Sequence, residues 1–546
     1  MAIPITRNTF RTRRSRRISL LLLLAITAGV VVLGTTRSAG SEIQVKATAR
    51  TPRSAFASKS IQAGLETDAP TPETSMQAPW VIAENEQPGT SKWRIPKSAP
   101  TSIEGFADMV SAQVGDVVTV HVSTPARTFH VEAYRIGYYQ GTGGRFIWRS
   151  AQQRGHDQPS PTRTPGTNMI EAPWSPSLRI HIDEDWPQGV YMLKLVASNG
   201  AQSYVPLTLR DDTSTAALVI QNSVTTWQAY NTWGGYSLYH GAGGSFSTRS
   251  RVVSFDRPYE GRRGSADFFW IESPLVFLAE RLGLDVTYWT DIDLHERPGL
   301  LMNHRALISL GHDEYWSSDM RRGALAARSH GVNLAFLGAN DVYRHIRLVA
   351  SPLGRDRREV NYKVASEDPL YGVDNAEVTS QWREAPVPRP ESVLLGGLYQ
   401  CNPVHADMVI SAASSWVFAG TGLTNGDRLP GAIDLEYDRV DGDLPTPASV
   451  QILAHSPLTC QGRGDHADVT YYTTRSGGGV IDMASQGWIP LLTCQPPQQT
   501  TRCNRAAVRI TANILRMFAE GPAGIDHPSR PNLGRFGIRL EHPIRV

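Results

Sequence analysis

The sequence predicts a multidomain protein, in which an immunoglobulin-like β-sandwich precedes an α/β domain with a mainly parallel sheet. Three observations support this class: a length of 546 residues, strand-like segments before Asp211, and alternating strand-like and helix-like segments after it. Domains usually contain about 100–200 residues, so this length requires several units. We expect four regions, 1–40, 41–79, 80–211 and 212–546.

The first region, residues 1–40, has the composition of an export signal. Its basic residues precede an uncharged apolar run at 18–34, and they are Arg11, Arg13, Arg14, Arg16 and Arg17. A basic flank before an apolar core of about 17 residues is typical of a signal peptide or an N-terminal membrane anchor. The small residues at 38–40 offer a cleavage site but follow Arg37, so both alternatives stay open. Ser15-Arg16-Arg17 also resembles a twin-arginine signal.

Positive charge before an apolar segment is retained in the cytoplasm, so the body of the protein is predicted to be exported. It would be secreted, or held at the cell surface by this segment alone. Residues 41–79 are rich in Ser, Thr, Ala and Pro without a sustained period, which predicts a disordered spacer. The formal net charge is only +3, and the N-terminal arginines account for it. Nucleic-acid binding and a broad membrane-binding face are therefore not expected.

All four cysteines, Cys401, Cys460, Cys494 and Cys503, lie in the last third of the chain. They form no C-x-x-C pair, which argues against a cysteine-based zinc site. In an exported protein they predict two disulfides, for which three connectivities exist. The short separation between Cys494 and Cys503 favours that pair.

Residues 80–211 show the alternation of half-buried strands. The clearest segments are Val117–Val122, Phe129–Tyr134, Leu178–Ile182 and Val190–Leu195. Gly, Pro and Asp residues separate them, and no amphipathic helix interrupts the series. This pattern predicts an antiparallel β-sandwich of about immunoglobulin size.

Residues 212–546 alternate between strand and helix patterns. Strands are expected at Leu218–Ile220, Asp285–Trp289, Ala306–Leu310, Val332–Leu337, Trp416–Ala419 and Val480–Ile481, and helices at 273–283, at 317–329 and at 505–518. This order is typical of a Rossmann-like or glutamine-amidotransferase-like α/β domain with some long loops. Amidotransferase chemistry itself is excluded, because it needs a nucleophilic cysteine where this chain has residues 312–315.

Polar residues follow the strand Ala306–Leu310 directly: His312, Asp313, Glu314 and Tyr315. In open α/β sheets, ligands bind beyond the carboxyl ends of the strands. The alternative is structural, since Asp313 or Ser317 can cap the helix that follows.

A second polar segment, 225–240, follows the strand Leu218–Ile220 and should lie at the same sheet edge. It contains Tyr230, Tyr236 and Tyr239 together with two glycines, which predicts an irregular loop. Hydrophobic packing of the tyrosines is the alternative to a ligand-binding role.

Four motifs in this part of the chain resemble one known family. They are Trp-Gln-Ala-Tyr-Asn at 227–231, Gly-Gly-Tyr-Ser-Leu-Tyr at 234–239, Gly-His-Asp-Glu-Tyr-Trp at 311–316 and Phe-Leu-Gly-Ala-Asn at 336–340. Together they are similar to the large, catalytic subunit of N,N-dimethylformamidase and its wider family, and the similarity extends from Trp80 to about Phe518.

The resemblance implies a mononuclear iron site with two tyrosine ligands and one glutamate ligand. Carried over to this chain, the glutamate is Glu314, the first tyrosine is Tyr230, and the second is Tyr239 with Tyr236 as the alternative. His312 matches the neighbouring active-site histidine, so His312 and Glu314 are the expected catalytic residues. The loop between the tyrosines is shorter here than in the formamidase. The need for a small partner subunit and a homo-oligomeric state both stay open.

The ligand chemistry supports the same function independently. Phenolate and carboxylate are hard oxygen ligands that suit ferric iron. Such a metal can acidify a water and polarise an amide carbonyl, while His312 transfers protons. We therefore predict an extracytoplasmic, iron-dependent hydrolase that acts on the C–N bond of a small-molecule or envelope-derived amide. The alternative is a non-catalytic cell-envelope protein that binds glycan or polymer.

Overall fold

The fold consists mostly of β-strands arranged in several sheets, and the computed structural model describes residues 77–546. The predicted export segment and nearly all of the predicted spacer lie outside the described residues. Among the helices that the structure describes, none has the length and apolar content needed to cross a bilayer.

Eleven strands lie between residues 104 and 209. They are β1 (Glu104–Ala107), β2 (Ser111–Ala112), β3 (Val117–Ser123), β4 (Thr128–Ile136), β5 (Gly144–Arg149), β6 (Gln153–Arg154), β7 (Thr162–Thr164), β8 (Met169–Glu171), β9 (Leu178–His181), β10 (Gly189–Ala197) and β11 (Gln202–Leu209). A three-stranded sheet has the order β1-β3-β9, and a second sheet has the order β2-β11-β10-β4-β5, with β6 paired to β4. The four predicted strands of this region are confirmed.

The two sheets share one apolar core, which contains Val118 and Val120 of β3 together with Leu193 and Leu195 of β10. Residues of both sheets pack against each other there, as in a sandwich. The immunoglobulin-like character of the sandwich stays a prediction.

The second part of the described chain contains fifteen strands. They are β12 (Leu218–Asn222), β13 (Val252–Ser254), β14 (Val286–Thr290), β15 (Ala306–Gly311), β16 (Tyr315–Ser317), β17 (Asn333–Gly338), β18 (Arg344–Ser351), β19 (Gly354–Val360), β20 (Leu398–Val409), β21 (Arg428–Arg439), β22 (Thr446–Pro447), β23 (Gln451–Cys460), β24 (Arg463–Thr473), β25 (Gly479–Asp482) and β26 (Pro543–Ile544). The α-helices of the described residues are α1 (Pro79–Glu86), α2 (Val224–Tyr230), α3 (Ser273–Arg281), α4 (Asp291–Glu296), α5 (Ser318–Ser329), α6 (Ser392–Leu395) and α7 (Arg505–Glu520).

The central sheet has the order β14-β12-β15-β17-β25-β24-β23. Its first five strands are parallel to one another, and β24 and β23 are antiparallel additions at one edge. A mainly parallel sheet was predicted for this region, whereas its Rossmann-like or amidotransferase-like topology stays a prediction. Two smaller sheets also belong to this part of the chain, and their strand orders are β13-β19-β18-β16 and β20-β21.

Local chemistry explains the helix boundaries. Ser317 is the N-cap of α5, and its Oγ accepts a hydrogen bond from the backbone N–H of Met320 at 3.2 Å. Ser317 is therefore the cap, and Asp313 is not. Helix α3 starts with Ser273-Pro274, where a proline costs no backbone hydrogen bond.

Two expectations for this part of the chain were wrong. Residues 416–419 were predicted as a strand, but Trp416–Phe418 form a 3-10 helix, because the Ser415 side chain accepts a bond from the backbone N–H of Val417. Some long loops were expected between the later elements, yet the four long strands β20, β21, β23 and β24, none of them predicted, occupy much of 398–473. Helix α1 was not predicted.

Both disulfides are present. Cys494 joins Cys503, as the sequence favoured, and Cys401 joins Cys460. The second bond connects β20 to the end of β23.

Strand β10 of the six-stranded sheet is buried on both faces. In β10, Leu193 packs into the sandwich core, whereas Met192 joins the core of the second region with Leu218 and Val276. The described residues belong to one compact unit, and the predicted boundary at 211/212 falls between β11 and β12, which lie in different sheets.

Candidate functional site

The two polar segments lie at the same edge of the central sheet. Strands β12 and β15 are parallel neighbours, so their carboxyl ends point the same way. Helix α2 follows β12 and ends at Tyr230, while residues 312–314 follow β15 directly. The structure therefore places the predicted site residues at adjacent strand ends.

Two glycines allow the backbones at this edge to approach each other closely. Gly311 has a φ of +65°, and a Cβ there would lie 2.7 Å from the backbone oxygen of Ile271. A Cβ on Gly338, its partner in β17, would lie 2.1 Å from the Gly311 oxygen. Neither position accepts a side chain without backbone movement.

Glu314 is held in place through its own backbone. Its N–H donates to Thr226 Oγ1 at 2.9 Å, and its carbonyl accepts from the N–H of Arg344 at 2.7 Å. Its side chain is only 1% exposed. The carboxylate therefore has a fixed orientation.

Tyr230 and Tyr239 converge on that carboxylate. The Tyr230 hydroxyl lies 2.7 Å from Glu314 Oε2, and the Tyr239 hydroxyl lies 2.9 Å from Oε1 and 3.0 Å from Oε2. The two hydroxyls are 2.8 Å apart, and the rings stack with centroids 4.4 Å apart. Tyr230 is about one-third exposed at 36%, so the cluster is accessible from one side.

Tyr236, the alternative second tyrosine, lies in a different environment. It packs against an aromatic cluster that includes Trp174 and Trp233, and Arg163 lies over its ring at 5.9 Å. The structure thus brings Tyr239, and not Tyr236, to Glu314.

Burial and the nearby carboxylate make these phenols weak acids. Tyr230 exposes part of its ring, but its hydroxyl lies against Glu314 and Tyr239. Burial of the hydroxyls first, and then the negative charge of Glu314, hold the pKa values of Tyr230 and Tyr239 well above the usual value of a phenol. Two basic side chains lie close by: Arg344 Nε is 3.4 Å from Glu314 Oε1, and Lys363 Nζ is 3.7 Å from the centroid of the Tyr239 ring. Burial holds the pKa of Lys363 well below its usual value. The site therefore gathers acidic groups whose ionisation needs additional positive charge.

His312 forms an acid–base pair with a residue that the sequence analysis missed. Its Nε2 lies 3.3 Å from Glu436 Oε2 and 3.5 Å from Glu314 Oε2. Glu436 is oriented by the side-chain amides of Asn340 at 2.8 Å and Asn402 at 2.7 Å. Burial alone would lower the pKa of His312, but the charge and hydrogen bond of Glu436 outweigh it and raise the pKa to about 9.

A sequence signal for Glu436 exists in retrospect. Residues 432–437 read Ala-Ile-Asp-Leu-Glu-Tyr, an alternation with a period of two that indicates a strand. The segment was not among the predicted strands, so its polar side chains were not considered. Lys363 and Arg344 were also missed, and we find no local motif that would have identified them.

Asp313, between His312 and Glu314, faces the interior of the sheet. It is fully buried and accepts hydrogen bonds from Gln221 Nε2 at 2.8 Å and from Ser309 Oγ at 2.7 Å. Its N–H donates to Asp341 Oδ1 at 2.7 Å. Burial raises the pKa of Asp313 to about 6. Asp313 therefore anchors the turn, and its neighbours on either side project toward the tyrosines.

A comparison with known families identifies the family of this chain. Residues 130–502 match the family model described as N,N-dimethylformamidase beta subunit-like, C-terminal. The chain belongs to this family. The matched range includes Tyr230, Tyr239, His312, Glu314 and Glu436, which confirms the resemblance found from the motifs. No curated protein matches the chain.

Proposed function

We propose that this member of the N,N-dimethylformamidase beta subunit-like family is an iron-dependent hydrolase of amide C–N bonds. Tyr230, Tyr239 and Glu314 would hold a single ferric ion. The observation that carries the proposal is the convergence of two phenol oxygens and one carboxylate, within 3.0 Å of one another, in a chain of this family.

The spacing of these oxygens fits a small, hard cation. Cations that bind oxygen at about 2.0–2.1 Å in an octahedron place neighbouring ligand oxygens about 2.9 Å apart. The distances among the Tyr230 hydroxyl, the Tyr239 hydroxyl and Glu314 Oε2 are 2.7, 2.8 and 3.0 Å. Two phenolates and one carboxylate carry three negative charges, which a trivalent ion neutralises.

When bound, the iron would supply a Lewis acid that activates water and polarises the substrate carbonyl. The protein would supply the proton transfers. His312 Nε2 lies between Glu314 and Glu436, and we assign it the proton that the amide nitrogen takes up as the C–N bond breaks. Glu436 would orient the imidazole through its own contacts with Asn340 and Asn402. Water would supply the hydroxyl group of the acid product, and its other proton would return to His312.

The surrounding groups would support the ligands rather than react. Tyr315 donates to the Tyr239 hydroxyl at 2.7 Å, and Lys363 Nζ donates to the Tyr315 hydroxyl at 2.5 Å. These bonds would hold the Tyr239 ring in position. The partly exposed Tyr230 side would admit the substrate, for which we propose a small or envelope-derived amide.

We also propose that the enzyme works outside the cytoplasm. The basic and apolar residues of segment 1–40 support this, and so do the two disulfides, because such bonds persist in oxidising compartments.

Metal analysis and visible spectroscopy of the full chain, produced with iron, test the proposal. We expect about one iron per chain and a charge-transfer absorption from tyrosinate. Glu314→Ala should lose most of the iron, and His312→Ala should keep iron and colour but lose the release of amine from small N-substituted amides, by about 10²–10⁴-fold.

The two tyrosines provide a matched pair of variants. Tyr239→Phe removes one proposed ligand and should weaken or abolish the absorption, whereas Tyr236→Phe should leave it unchanged. A folded, colourless wild-type protein without iron would contradict the proposal. The non-catalytic cell-envelope binding protein would then account better for the chain.

A further inference from the structure

A second group of metal-binding side chains lies on the antiparallel hairpin of β23 and β24. His455 in β23 is directly opposite Asp468 in β24, and His466 lies two residues before Asp468. Residues two apart in a strand project from the same face of a sheet. The hairpin therefore presents two imidazoles and one carboxylate together, and one ligand atom of each lies within 4.8 Å of the others.

The distances within this group match a tetrahedral metal site. His455 Nδ1 is 2.7 Å from Asp468 Oδ1, and His466 Nε2 is 3.3 Å from Asp468 Oδ2. Zinc binds nitrogen and carboxylate oxygen at about 2.0–2.2 Å, so two of its tetrahedral ligands lie about 3.3–3.5 Å apart. The His466–Asp468 pair has that separation already, and the His455–Asp468 pair needs a small adjustment.

The contact between His466 and Asp468 is a weak one. His466 Nε2 is buried, and it lies 3.3 Å from Asp468 Oδ2, which is longer than an ordinary N–H···O hydrogen bond of about 2.7–3.2 Å. A cation between the ring and the carboxylate would bind both atoms.

The neighbouring residues hold the three side chains in this arrangement. The N–H of Val440 donates to Asp468 Oδ2 at 3.0 Å, and the ring of Phe536 stacks on His455 with centroids 4.6 Å apart. Asp465 Oδ1 lies 3.6 Å from the other ring nitrogen of His466. Groups that contact the non-ligating ring nitrogen of a metal-binding histidine, and so orient the ring, are typical of protein metal sites.

We propose that His455, His466 and Asp468 bind a zinc ion. Two imidazoles and one carboxylate are a donor set that zinc uses when a fourth position is left to water or another ligand. The two histidine side chains are each 23% exposed, so that fourth position would face solvent. The ion would join the two strands of a hairpin that the Cys401–Cys460 disulfide already ties to β20.

This site is separate from the proposed iron site. In the central sheet, β24 is the third strand from β15, which corresponds to about 14 Å at the usual strand spacing. The ligand types also differ, because the iron site offers only oxygen ligands. Loss of iron should therefore leave zinc binding intact.

Zinc uptake by the full chain tests the proposal. Wild-type protein is treated with a chelator, checked by circular dichroism for folding, and then titrated with Zn²⁺ alone while bound zinc is measured after dialysis. We expect one zinc per chain, both in the wild type and in Glu314→Ala. His466→Ala should bind it at least about 100-fold more weakly, since losing a ligand costs more than losing an outer contact.

His405→Ala is the matched control. His405 also pairs with an aspartate, Asp434 at 3.0 Å, but its side chain is 75% exposed. This variant should bind zinc like the wild type, and zinc should raise its melting temperature, whereas zinc should not raise that of His466→Ala. His455→Ala gives a second test if His466→Ala does not fold. Zinc binding by the folded wild type that is no tighter than that of either ligand variant would overturn the proposal.

Discussion

Removal of Glu280 should loosen the junction between the sandwich and the central sheet. Glu280 in α3 forms a fully buried ion pair with Arg135 in β4, whose guanidinium lies 2.5 and 3.2 Å from the carboxylate. Tyr288 also donates to this carboxylate at 2.7 Å. Glu280→Ala would leave the Arg135 guanidinium buried without a counter-charge.

The expected loss of stability is large. Breaking a buried pair from one side typically costs about 3–5 kcal/mol, most of it the cost of an uncompensated charge. Arg135 keeps bonds to the Tyr139 hydroxyl at 2.9 Å and the Gln188 carbonyl at 2.8 Å, but neither carries its counter-charge. We therefore expect Glu280→Ala to lower the free energy of unfolding by about 3–5 kcal/mol.

Urea unfolding of the full chain, followed by tryptophan fluorescence, provides the assay. The double variant Arg135→Met/Glu280→Leu is the control, because it removes both charges and keeps apolar volume at the junction. It should recover much of the stability that Glu280→Ala loses. A single variant that is as stable as the wild type, or a double variant that is less stable than the single one, would refute the reasoning.

Three further predictions concern pH, proton transfer and a disulfide. Burial lowers the pKa of His345 from 6.5 to about 3. As the pH falls below about 6.5, this histidine therefore takes up a proton in the unfolded chain before it does so in the folded one. The free energy of unfolding should fall between about pH 6.5 and pH 3, by up to about 4–5 kcal/mol. His345→Gln should flatten that dependence in unfolding measured at several pH values, and an unchanged slope would contradict it. Glu436→Gln should lower kcat for amide hydrolysis by about 10²-fold or more with iron content unchanged, because His312 loses its charged partner; an unaltered kcat would remove Glu436 from the mechanism. Replacing Cys401 and Cys460 by serine, which opens a loop with a sequence separation of 59, should cost about 4 kcal/mol in urea unfolding, and a loss below about 1 kcal/mol would contradict it.

The sequence predicted best where the pattern is local. Strands such as β15 and β17 are continuous apolar segments, and Ser317 is an ordinary helix cap, so composition and spacing were sufficient. The strand predicted at 416–419 failed because the Ser415 cap favours a helical turn over the strand propensity of its neighbours. Long strands with many half-exposed polar residues, such as β20, gave no clear period.

The candidate site shows the same division. Tyr230, Glu314 and His312 belong to short motifs beside predicted strands, so they were found. Which of Tyr236 and Tyr239 reaches Glu314 depends on the backbone of the loop. The Ser237 Oγ accepts a hydrogen bond from the Tyr239 N–H at 3.1 Å, and this bond stabilises the turn between the two tyrosines. Glu436 comes from a strand more than 100 residues later in the chain, and only the folded sheet brings it to His312.

The paired glycines at the ends of β15 and β17 limit how this protein can be redesigned. A library aimed at a new substrate range can vary the side chains around the partly exposed Tyr230. Gly311 and Gly338 must be held constant, since even a methyl group on Gly338 would lie 2.1 Å from the backbone of its neighbour and separate the strands. New specificity will therefore come from changing side chains while the backbone at these two strand ends is kept. A protein that has larger residues at the corresponding two strand ends is a poor scaffold for transplanting the site.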